Sequence, residues 1–182
     1  MARRWMWAAG LLGTLGVGAG CAQSNYESSY RYFPQPAVVD VVRRDSNRQA
    51  PLTVLASVLG VRRADAKQDI PASVVVRLRF ENNGQSGVTF DPRSLELVTG
   101  SLRAFDPPVV RTAGPLELAP SARREVTAYF PFPPHTTAAQ MNMRNLRLRW
   151  EVRIEGVVVP QSAVFDRTSG GYYDEYDGDP YY

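Results

Sequence analysis

Between Ser73 and Phe90 the chain reads Ser-Val-Val-Val-Arg-Leu-Arg-Phe-Glu-Asn-Asn-Gly-Gln-Ser-Gly-Val-Thr-Phe. Val74, Val76, Leu78 and Phe80 alternate with Val75, Arg77, Arg79 and Glu81, and Val88 and Phe90 resume the apolar series after Asn82-Asn83-Gly84. Successive strand side chains point to opposite faces, so this spacing predicts a strand, a turn and a second strand, paired as a hairpin with one dry face. Burying each large apolar side chain contributes roughly 1.5–3 kcal/mol. Ordering the backbone costs about 1–2 kcal/mol per residue. A lone hairpin cannot close that gap, so other strands have to cover it.

Those strands can be read along the chain. Leu52–Val61 is apolar and ends in the charged loop 62–69. Asp91-Pro92 turns into a short strand, Ser94–Val98, and Leu102–Phe105 returns after Gly100-Ser101. Val126, Ala128 and Phe130 alternate with Glu125, Thr127 and Tyr129. Leu146, Leu148, Trp150, Val152 and Ile154 alternate with Arg147, Arg149, Glu151 and Arg153. Glu155-Gly156 then turns the chain into Val157–Val159, and Val164-Phe165 closes the series. Only 138–145 suggests a helical turn. Seven or more short strands separated by Pro and Gly turns predict an all-β chain, a single antiparallel β-sandwich over 51–167. With one cysteine in 182 residues, packing alone has to hold it.

The ends differ from this middle. Arg3-Arg4 precede an uncharged run, Trp5–Gly20, that holds five glycines and leads to Cys21. It is short for a membrane span and reads as a signal peptide over 1–20. Residues 21–50 are rich in Ser, Tyr, Arg, Asn and Pro and read as a flexible tether. The alternative is an aromatic arm of Tyr26, Tyr30, Tyr32 and Phe33 that docks on the domain or on a partner, and 38–42 is a candidate edge strand. Residues 168–182 form an acidic Tyr/Gly-rich tail, with Asp174, Glu175, Asp177 and Asp179, and read as disordered. A docked tail, lying over outward arginines, is the sharper alternative.

The sequence Val17-Gly18-Ala19-Gly20-Cys21 resembles a bacterial lipoprotein signal, in which small residues precede an obligatory cysteine. Gly18 stands where that family carries an aliphatic residue, with Val17 beside it. The resemblance implies cleavage before Cys21, diacylglyceryl transfer to its thiol and acylation, palmitate included, of the freed amine. Two or three chains anchor a protein stably at about 0.8 kcal/mol per buried CH₂. Ala22, rather than Asp, implies onward transport to an outer membrane. Over 73–134 the order of motifs also resembles a group of extracytoplasmic bacterial Ig-like domains of unassigned function. Its carriers here are Val74–Phe80, Asn82-Asn83-Gly84, Val88-Thr89-Phe90, Ser94-Leu95-Glu96-Leu97 and Leu118-Ala119-Pro120. Ser121 replaces the Gly of that pattern.

Chemistry is sparse. His135 is the only histidine and no nucleophile is marked for it. No phosphate loop, zinc spacing or calcium loop occurs, so no catalytic residue and no cofactor is expected. His135 with Met141 and Met143 raises a Cu(I) site, since thioethers and imidazole suit that ion. The plainer expectation is a solvent-exposed His and two packing methionines. Arg77, Arg79, Arg147, Arg149 and Arg153 would form one basic stripe for an anionic partner if their strands share a sheet. A solvated face interspersed with Glu81 and Glu151 is the plainer alternative. Without residues 1–20 the formal charge falls from +3 to +1, which gives little pull toward nucleic acid. The expected protein is a lipid-anchored envelope module that binds or scaffolds an envelope or cell-wall partner. The alternative is a periplasmic Cu(I) or small-ligand carrier.

Overall fold

The computed structural model of the chain describes residues 26–27, 29–42, 50–66, 71–112 and 114–168. In chain order the strands are β1 (Tyr26–Glu27), β2 (Arg31–Phe33), β3 (Ala37–Val41), β4 (Leu52–Arg62), β5 (Ser73–Asn82) and β6 (Val88–Phe90). They continue as β7 (Glu96–Thr99), β8 (Val109–Val110), β9 (Leu116–Leu118), β10 (Arg123–Pro131), β11 (Asn145–Ile154) and β12 (Val157–Thr168). One sheet runs β4–β5–β10–β8, with β1 and β3 on the free edge of β4. The other runs β2–β12–β11, with β6 and β7 on the far edge of β11 and β9 beyond β6.

All of these pairings are antiparallel, and the two inner faces share one core. Taking β4, β5, β6/β7, β8, β10, β11 and β12 as strands A to G gives A-B-E-D in one sheet and C-F-G in the other. That is the connectivity of an immunoglobulin-like sandwich. The alternation expected for β5, β10 and β11 is the alternation found: Leu78, Phe80, Val126, Phe130, Leu148 and Trp150 are buried, while Arg77, Arg79, Glu125, Arg147 and Arg149 face out.

The stretch 73–90 is not a hairpin. β5 belongs to one sheet and β6 to the other, and the chain crosses between them at 83–87. Sheets pack about 10 Å apart, a gap that five residues span and a two-residue turn does not. Asn82 holds the crossing. Its buried amide Nδ2 donates to the carbonyls of Ser86, Leu118 and Ala119 at 2.9, 3.1 and 3.0 Å, and its Oδ1 accepts from Gly84 N–H at 3.0 Å. Both apolar faces therefore turn inward, and the Phe80 and Phe90 rings meet across the core at 4.5 Å between centroids.

The tether expected over 21–50 is corrected in the same way, because β1, β2 and β3 all lie within it. Tyr32 is buried and donates its phenol O–H to the Met143 carbonyl at 3.1 Å. The chain switches sheets between β2 and β3, across Pro34 and Pro36, both preceded by cis peptide bonds. Pro lacks the N–H a ladder needs, so this is a natural place for pairing to stop. The docked aromatic arm is thus the form the structure takes for residues 29–42.

Two late segments also differ from expectation. β12 is one continuous strand, and Leu102–Phe105 makes only a single bridge, Ala104 to Val98. The β11–β12 turn has φ of 50° at Glu155 and 80° at Gly156, the two positive values that a two-residue type I′ hairpin requires. Ser121, where the resembled pattern has Gly, keeps the left-handed backbone at φ 61°.

Candidate functional site

The arginines expected to form one stripe stand on opposite sides of the sandwich. Arg77 and Arg79 are on β5, and Arg147, Arg149 and Arg153 are on β11. Alternation fixes which face a side chain takes but not which sheet its strand joins, so the common stripe does not form. On the first sheet Arg77 pairs with Glu125 at 3.2 Å, and Arg79 Nε donates to Glu81 at 2.9 Å. Arg123 also reaches Glu81 at 3.8 Å. The hydrogen bond from Arg79 holds the Glu81 carboxyl below the usual carboxylate range. On the second sheet Arg149 pairs with Glu96 at 3.4 Å. Arg147 and Arg153 make no ion pair among the described residues.

Met141 and Met143 are both part of the core, whereas His135 is exposed on a turn with φ 59°. A Cu(I) carrier has to present its thioethers to an arriving ion, and here they pack inside while the imidazole stands outside. Among the described residues no three His, Cys, Asp or Glu side chains group to hold a metal. Clefts lined by described residues open to solvent. One lies on the second sheet's outer face between Ser94, Glu96, Arg149, Glu151, Pro160 and Ser162. Cys21 lies outside the described residues, as do 1–20 and 169–182.

Sequence reasoning missed three features. The first is the open edge of β12. Between Val157 and Phe165 no described strand pairs with its outer side, and Val157, Val158 and Val164 are exposed there. Counting from the Ile154–Val157 closing pair, residue 160 falls at a non-hydrogen-bonded position of the β11 ladder. The N–H that Pro160 lacks would point out of that edge, so proline fits and blunts it. The second is a cluster at the arm. Arg62 is buried, pairs with Asp65 at 2.8 Å and sits over the Tyr129 ring at 5.6 Å. Tyr26 packs beside it, and burial together with the nearby Tyr129 raises its phenol pKa. The third is the Arg167 guanidinium, 4.4 Å above the Tyr30 ring, with its Nε donating to the Ser29 carbonyl at 3.1 Å. These contacts join residues far apart in the chain, so no local pattern announces them.

No protein-family model and no curated protein matches this sequence. Among solved structures it is similar to a FixG-related protein from Vibrio parahaemolyticus, at 8% identity and a TM-score of 0.38, over 65% of this chain and 97% of that one. It is also similar to the yjhA protein from Bacillus subtilis, at 15% identity and a TM-score of 0.34, over 53% of this chain and 71% of that one. The GAE domain of GGA2p from Saccharomyces cerevisiae aligns at 14% identity and a TM-score of 0.28, over 74% and 98%.

Proposed function

We propose that this chain is a lipid-anchored protein of the bacterial cell envelope, attached through Cys21, whose sandwich binds or scaffolds a partner and carries out no reaction of its own. Cys21 behind small residues supports the attachment, and Ala22 supports an outer-membrane destination. The observation that carries the binding role is the open edge of β12. Among the described residues no strand pairs with its outer side between Val157 and Phe165, although β3 runs close by, and Val157, Val158 and Val164 are exposed beside it. A partner strand added there gains main-chain hydrogen bonds for affinity and apolar contacts for selectivity. Crosslinking from residue 162 of the acylated protein in its own membranes, followed by pull-down, tests this. A discrete adduct supports it, and the same adduct pattern from a crosslinker placed at Thr53, on the opposite sheet, refutes it.

A further inference from the structure

The docked arm shortens the attachment. Only residues 22–25 separate Cys21 from Tyr26 in β1. A fully extended chain covers at most about 3.3–3.6 Å per residue, so Tyr26 lies within roughly 18 Å of Cys21. A ten-residue strand such as β5 is itself about 34 Å long. A lipid on Cys21 therefore holds one particular end of the sandwich at the bilayer.

Strand register defines that end. Tyr26 pairs with Arg62, Arg62 with Ser73, and Ser73 with Pro131. In the other sheet the same end holds Arg31 paired with Thr168, joined across the sandwich by Arg167 on the Ser29 carbonyl. Arg103 lies here too, reaching Thr136 at 3.2 Å. Arg31, Arg63, Arg103, Arg144 and Arg167 are exposed on this end, and Leu102, at 71% exposure, projects among them. Carboxylates also lie at this end: Asp65, paired with Arg62; Asp166, which accepts from the Asn145 side chain; Glu27, opposite Val61; and Asp106, whose backbone N–H donates to the Pro131 carbonyl.

We infer that this end of the sandwich docks on an anionic bilayer surface, with guanidinium groups on lipid phosphates and Leu102 at the headgroup level. Arginine forms bidentate bonds with phosphate oxygens, and each basic residue near an anionic surface strengthens binding by about fivefold. Docking leaves the β12 edge and both outer faces upright and open to a partner. The inference rests on the anchored-module proposal for its attachment at Cys21, but its test does not use the lipid.

All described strands lie within 26–168, so residues 22–182 and 22–168 both contain every described strand and can be tested without Cys21. The shorter chain removes the tail's four carboxylates, which leave the fold from this same end. Flotation with phosphatidylcholine vesicles, with and without phosphatidylglycerol, measures binding at low ionic strength. Binding by either chain that needs phosphatidylglycerol is expected. It should fall at least about tenfold with R31S/R63S/R144S and stay unchanged with R123S/R124S, which lie at the opposite end. Thermal unfolding checks that each variant is folded. Absence of binding by both chains, or binding that survives the near-end substitutions, would each overturn the inference. Acylation at Cys21 is judged separately by mass, so the two proposals can fail independently.

Discussion

Replacing Asn82 by Ala is expected to loosen the crossing between the sheets without touching any apolar contact. The side chain has two N–H donors serving three carbonyls, and one oxygen accepting from Gly84. Two donors make no more than two full bonds, so about three bond equivalents are lost. At about 0.5–1.5 kcal/mol each, the loss is about 2–4 kcal/mol. Urea unfolding of residues 22–182 should show an unchanged slope and a midpoint lower by about 1–2 M, taking a slope of about 2 kcal/mol per molar. Asn82→Asp sharpens the test, since it keeps the shape but turns an anion toward three carbonyl oxygens. Its folded-state pKa must be raised above the unfolded value. The variant is then least impaired in acid, and its deficit grows as pH rises through about 4. A cost below about 1 kcal/mol for Asn82→Ala, or a pH-independent cost for Asn82→Asp, would show that the crossing does not depend on this side chain.

Three other outcomes are expected. A methyl group added at Gly60, where φ is 123°, would sit 2.9 Å from the Tyr30 carbonyl oxygen. Gly60→Ala should therefore loosen the arm, and hydrogen exchange should show lost protection at Tyr32 with β5 retained. Burial pushes the Tyr32 phenol well above the ordinary tyrosine range. The neutral form is the one folded, so this contribution is complete below pH of about 10 and is lost as pH rises above it. Tyr32→Phe should cost about 1–2 kcal/mol at neutral pH and remove that alkaline component, as read by denaturation at several pH values. Ser121→Gly should raise stability by up to about 1 kcal/mol, because Gly holds φ 61° without the penalty a Cβ brings; thermal unfolding measures it.

Much of the sandwich was legible because period-two alternation survives wherever one face is dry and the other wet. Leu146 to Ile154 on β11 and Val126 to Phe130 on β10 show it without a break. Alternation is silent on pairing partners, which is why β5 and β6 looked like a hairpin and the arginines of β5 and β11 like one stripe. The arm was harder for another reason. Pro34 and Pro36 interrupt its pattern, and its fixing contacts, such as Tyr32 to Met143, span 111 residues. The open β12 edge becomes visible only once the complete sheet order is known.

The most direct measurement is intact and peptide mass spectrometry of the protein purified with its membranes. Attachment by lipid predicts a mature chain that begins at Cys21 and carries a diacylglyceryl group on its Sγ. An unmodified thiol at Cys21, or a mature chain that begins elsewhere, would contradict it.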